Sequence, residues 1–151
     1  MKTITLATLL GLTALCAAGI PATAQTPPAA VKLDIKDATG KALTGNPASG
    51  KTQWAKCVSC HSIEAGKNGT GPSLNGIIGR KAGTVAGFKY TDANKASAKV
   101  WSQQALFDYL EKPRQVIPGT SMQFVGIKSA QQRADLVAWL VQNTGAAAKP
   151  R

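Results

Sequence analysis

The sequence predicts a small all-α domain of about three to five helices. Three observations carry that expectation: stretches of 3.6-residue apolar periodicity, a length of 151 residues, and a remainder rich in Gly and Pro. A chain of this length holds one domain, or one domain with a tail. Aromatic residues are only 5% of it, which excludes a large aromatic core.

The first element lies outside the fold. Met1-Lys2 is a basic start, and Thr3 to Ile20 is an uncharged apolar run closed by Pro21. Ala22-Thr23-Ala24 then has the small-x-small form of a leader cleavage site, so residues 1–24 read as a secretory signal peptide. The alternative is an uncleaved anchor, but the run is shorter than the roughly 20 apolar residues that span a bilayer. Removal of Lys2 and Cys16 leaves a net charge of +10, from +11, and Cys57 and Cys60 as the only cysteines. Export to the periplasm is the expected localisation.

Residues 25–47 are expected to form an N-terminal extension or tether. Val31, Leu33 and Ile35 alternate with Lys32 and Asp34 in a strand-like pattern, but the segment is too short to fold alone. The domain proper is expected over 48–145, with 146–151 a frayed tail. A helix is expected from Ala48 to Cys60, then a Gly-rich loop of about 20 residues from Gly66 to Gly87, long enough to be functional or wrapped on something. Asp92 to Ala98 can make one short helix. Ser102 caps a helix to Lys112, with Ala105, Leu106, Tyr109 and Leu110 on one face and Pro113 as its stop. The strongest pattern runs from Ser129 to Thr144: a capping-box start, a Leu136, Val137, Leu140, Val141 stripe, and Gly145 as terminator.

His61 is the only histidine, which excludes every site that needs two. It closes the stretch Cys57-Val58-Ser59-Cys60-His61, the C-x-x-C-H form of covalent c-type haem attachment. Two thiols at this spacing can add to the two haem vinyl groups, and the adjacent imidazole is then placed to bind iron. A structural zinc site needs four ligands, and the mature chain has no third Cys or second His. A thioredoxin-like pair normally sits between a strand and a helix in a β-rich fold, and no strand is expected before Cys57. A plain disulfide gives no reason for His61.

The second iron ligand follows by elimination. Met122, in Ile117-Pro118-Gly119-Thr120-Ser121-Met122, is the only thioether left after leader removal. Its alternative is an ordinary surface or core methionine. As a ligand it is soft and neutral, favours Fe(II) and raises the reduction potential. With both axial positions filled and no second His for acid–base chemistry, electron transfer is the expected role, not catalysis.

These residues stand in a wider pattern. Gly50-x-x-x-Trp54-x-x-Cys57-x-x-Cys60-His61 is followed by Thr70-Gly71-Pro72-Ser73-Leu74-Asn75-Gly76, then Gly79-Arg80-Lys81-Ala82-Gly83. Gly87-Phe88-Lys89-Tyr90-Thr91-Asp92-Ala93-Asn94, Trp101, Tyr109-Leu110, Pro113, Ile117 to Met122, Phe124, and Arg133 to Leu140 continue it in order. Over about Ala48 to Thr144 the chain resembles class I cytochrome c, of the mitochondrial and bacterial cytochrome c2 kind.

That resemblance implies a small cytochrome c fold, its helices wrapped around one covalently attached haem c per chain. Pro72 would offer its carbonyl to His61, while Arg80, Tyr90 and Trp101 would surround a buried propionate. Asn94, Tyr109 and Thr120 would form a polar network beside Met122, and Phe124 would cover the haem edge. Gly50 would let the first and last helices cross closely, with Leu136 packed at the crossing. Trp54 and Trp139 stand where Phe and Tyr are usual, Val116 where Tyr is common, and Ser121 where Lys is common.

The net charge of +10 first suggests nucleic acid. The lysines are spread along the chain, however, and the strongest helix carries only Arg133, so no nucleic-acid partner is expected. Under the resemblance, Lys56, Lys67, Lys112, Arg114 and Lys128 ring the haem edge and steer docking onto acidic redox proteins. A monomeric soluble carrier is the leading expectation. A haem peroxidase or gas-binding protein with Met122 displaced, and a subunit held on a larger enzyme through the extension, are the alternatives.

Overall fold

The computed structural model describes residues 29–145; the expected leader, residues 25–28 and the tail 146–151 lie outside them. The chain forms β1 (Val31–Lys36), β2 (Ala42–Gly45), α1 (Pro47–Trp54), α2 (Asp92–Ala96), α3 (Gln103–Tyr109), α4 (Pro113–Val116) and α5 (Ala130–Thr144). The fold is mostly helical, as expected, with one small two-stranded sheet added.

That sheet is the main departure from the expectation. Residues 31–45 are not a free tether but a hairpin packed on the helices. Leu33 is 5% and Ile35 1% exposed, and both belong to the core, whereas Lys32, Asp34 and Lys36 face solvent. The alternation is thus a true strand signal. β1 and β2 pair antiparallel, Val31 opposite Gly45 and Lys36 opposite Ala42, with an irregularity between Lys32 and Lys36. The Asp37 carboxylate holds the turn, accepting from the backbone N–H of Thr39 at 2.9 Å and of Lys41 at 3.1 Å. The segment is too short to fold alone, and the helices supply the rest of its core.

α1 starts at Pro47 behind an Asn46 cap, whose side chain accepts from the Ala48 N–H at 2.9 Å. It ends at Trp54, earlier than the Ala48–Cys60 helix read from the sequence, and the chain turns on through the cysteines. The Cys60 carbonyl accepts from the Gly71 N–H at 2.9 Å, which anchors the loop to the attachment turn. α2 and α3 begin where expected, capped by Thr91 and Ser102. α3 ends at Tyr109, short of the expected Lys112, so Pro113 is not its stop but opens α4, a one-turn helix the sequence reading passed over.

α5, capped by Ser129 and closed by Gly145 at φ +68°, crosses α1 closely. A Cβ built on Gly50 would overlap the Asp135 carbonyl oxygen of α5. Trp54 and Trp139 stack with centroids 4.8 Å apart, so the unusual pair repacks the crossing and keeps it closed. Buried Arg133 pins the Ile127–Lys128 loop to α5: it donates to both carbonyls, lies over Phe107 and meets Glu111 at 3.2 Å.

Candidate haem site

A cavity of about 420 Å³ opens between α3, α5, the attachment turn and the two long loops. Its walls include Cys57, Cys60, His61, Pro72, Arg80, Tyr90, Trp101, Tyr109 and Met122, so every site residue expected from the sequence converges there. Thr120, Asn94, Phe124 and Leu136 line it as well. The apolar part comes from Leu74, Ile77, Leu106, Leu110 and Leu140.

The attachment turn is built by short backbone bonds: Cys57 N–H to the Trp54 carbonyl at 2.8 Å, and His61 N–H to the Cys57 carbonyl at 2.9 Å. Both thiols are free. Burial pushes the Cys57 thiol up to about 11, whereas a hydrogen bond from Thr70 lowers that of exposed Cys60. The His61 Nδ1–H donates to the Pro72 carbonyl at 2.7 Å, which leaves Nε2 with its lone pair free. Burial also lowers the His61 pKa against the raising effect of that bond, favouring the neutral imidazole that binds metals. Gly71 is required beneath the ring, because a Cβ there would overlap Cε1 of His61.

Met122 sits in a closed polar circuit. Its N–H donates to Thr120 Oγ1 at 3.3 Å, Thr120 Oγ1 lies 3.5 Å from the Tyr109 hydroxyl, and that hydroxyl donates to Met122 Sδ at 3.4 Å. Gly119, at φ +88°, makes the turn that delivers Met122. Burial raises the Tyr109 pKa, so its donor proton persists at and above neutral pH. Asn94 lines the cavity but its side chain accepts from Thr91 Oγ1 at 2.9 Å; no hydrogen bond joins it to Tyr109 or Thr120 among the described residues.

Arg80 and Trp101 are brought together by a short backbone ladder, with Trp101 N–H donating to the Arg80 carbonyl and Gly79 N–H to that of Trp101. The Arg80 guanidinium donates to the Asn75 and Ser73 carbonyls at 2.7 and 2.9 Å. Among the described residues no carboxylate pairs with it. A half-buried guanidinium beside Tyr90, with no anion of its own chain, suits an anionic group from a bound molecule.

The donor set fits haem c. Two thiols at C-x-x-C spacing, an imidazole with one nitrogen already engaged, a thioether and an unpaired cation share one apolar cavity. Sequence reading missed the packing that supports them, including the Asn68–Ser73–Glu64 bonds that brace the loop. Nothing in a spacing pattern marks such bonds, since each is a backbone–side-chain pairing within the loop.

Fold and site together define a small haem-binding electron-transfer protein. A sequence model for cytochrome c matches residues 47–144, which leaves the hairpin outside. Cytochrome c of Ulva intestinalis is 47% identical over 102 residues, spanning 66% of this chain and 92% of that protein. That of Nigella damascena is 43% identical over 106 residues, 69% of this chain and 96% of the other. The solved structure of cytochrome cH from Methylobacterium extorquens superposes with a TM-score of 0.61 at 38% identity, covering 65% of this chain and 99% of that one. The chain belongs to the cytochrome c family. It is an electron carrier, not an enzyme, and its cofactor is covalent haem c.

Proposed function

We propose that this chain is an exported, soluble one-electron carrier of the periplasm whose haem iron is held between His61 and Met122. The observation that carries the ligand assignment is the Tyr109 hydroxyl aimed at Met122 Sδ from 3.4 Å, in the cavity that also holds His61. A methionine packed only for its volume has no need of a polar circuit. When bound, the haem supplies a one-electron couple. Around it the chain's residues orient the imidazole through Pro72, hold the sulfur through Tyr109 and Thr120, and offset a propionate with Arg80, Tyr90 and Trp101.

The ferric holoprotein is expected to show the weak red-edge absorption that reports an iron–methionine bond, and its absence would remove Met122 from the iron. Tyr109→Phe gives a graded version of the same test. A hydrogen bond draws density from sulfur and so disfavours the ferric state. Losing one worth roughly 0.5–1 kcal/mol is expected to lower the potential by about 20–40 mV for one electron. An increase, measured by spectroelectrochemical titration, would contradict the assignment.

Acidic redox proteins are the proposed partners. Lys56 lies on the cavity wall, and Lys112, Arg114 and Lys128 carry no acidic partner among the described residues. Lys67 contributes less, because Glu64 meets it at 2.9 Å. Small charge-steered complexes weaken as salt screens them, with a Debye length of about 10 Å at 0.1 M. Stopped-flow reduction of an acidic partner is therefore expected to slow steadily with ionic strength, and a flat profile would exclude charge steering. For export, the support is the 1–24 leader pattern, together with the finding that no helix among the described residues is long and apolar enough to cross a membrane.

A further inference from the structure

The hairpin is built into the fold with more care than a passive extension needs. Both of its edges are met by polar side chains from helices. On β1, the Asp34 N–H donates to Gln103 Oε1 at 2.8 Å and the Lys36 N–H to Gln104 Oε1 at 2.7 Å; Gln104 Nε2 returns a bond to the Lys36 carbonyl at 3.2 Å. On the β2 side, Gln131 Nε2 donates to the Thr44 carbonyl at 2.9 Å and the Asn46 N–H donates to buried Asp135 at 2.8 Å. Gly45 lies so close to α5 that a Cβ there would overlap the Ala134 carbonyl and crowd Ala138.

The first turn of α3 and its later residues then do different things. Gln103 and Gln104 hold the hairpin, while Leu106, Tyr109 and Leu110 line the cavity. Among the described residues, α3 carries the one hydroxyl that touches Met122 Sδ. Leu33 and Ile35 join the buried cluster that contains Leu106, Phe107 and Tyr109.

We propose that the hairpin is a positioning brace for the methionine side of the haem: by fixing the first turn of α3 and packing along it, Leu33, Ile35 and the Gln103–Gln104 amides hold Tyr109 and so keep Met122 on the iron. The hairpin lies outside the matched 47–144 region, so it is an addition to a site that the family region already builds. The brace rests on the His61/Met122 reading above.

The test uses the full-length ferric holoprotein and potassium cyanide, which binds only when Met122 leaves. Leu33→Ala/Ile35→Ala is expected to raise the cyanide-binding rate at least about tenfold, equivalent to roughly 1.4 kcal/mol transferred to ligand release. Gln103→Ala/Gln104→Ala, which leaves the core intact, is expected to raise it by a smaller factor, and Ile35→Val to restore most of the parent rate. The iron–methionine absorption in the unsubstituted protein is recorded first. Its absence there would overturn the ligand reading, not the brace alone. Its presence, with cyanide rates unchanged in both multiple variants and only the urea midpoint lowered, would make the hairpin a plain stabiliser and overturn the brace.

Discussion

Met122→Ala is expected to lower the reduction potential by on the order of a few hundred millivolts, within the roughly 0.8 V that axial ligands command in haem proteins. The thioether stabilises Fe(II) because it is soft and uncharged. No second imidazole is at hand to replace it. His61 is the only histidine in the sequence, and its Nδ1 is committed to Pro72. The position opened by alanine therefore passes to water or an added small ligand, and the variant is expected to bind cyanide without the delay of methionine release. Spectroelectrochemistry and a cyanide titration check the two results. An unchanged potential together with an unchanged ferric spectrum would show that Met122 is ordinary packing.

Gly50→Ala is expected to destabilise the domain by about 1–2 kcal/mol net, although alanine is the better helix former. In an isolated helix the change would gain about 1 kcal/mol. At this crossing the new Cβ would fall on the Asp135 carbonyl oxygen and press the Cβ of Trp139. The first is backbone and cannot rotate away, so α1 must shift from α5, and overpacking of this kind costs typically 1–3 kcal/mol and occasionally more. The loss outweighs the propensity gain. Urea unfolding should show a lower midpoint at unchanged slope, and a more stable variant would show that the crossing has room to spare.

The two predictions address different kinds of legibility. The haem motif, the single histidine and the lone mature methionine could be counted in the sequence, and the cavity gathers all of them. Helix starts were legible for a local reason: Ser102, Thr91 and Ser129 each accept from an N–H three residues on. The end of α1 was not legible, because the Cys60 carbonyl is tied to Gly71, eleven residues away across a loop. Asn94 was expected in the network beside Met122, yet it spends its carbonyl oxygen on Thr91.

Charge reads differently in three dimensions too. Lys67 counts toward a positive ring in the sequence, but Glu64 offsets it one helical turn's spacing away. Arg80 shows the reverse. Nothing in its sequence neighbourhood reveals that it stands half-buried without a carboxylate, the feature that fits it to an anionic cofactor group.

By itself, the sequence determined the chemistry of attachment: two thiols three apart, an imidazole next to them, and one remaining thioether. Such information is local or a matter of inventory, so it survives without a fold. Only the tertiary structure decided that the alternating segment from Val31 to Ile35 belongs to the core. Its hydrogen-bond partners stand 69 residues away at Gln103 and, for the adjoining Asn46, 89 residues away at Asp135. A hairpin this short is marginal in water until a third layer covers its apolar face, and here α3 and α5 provide that layer.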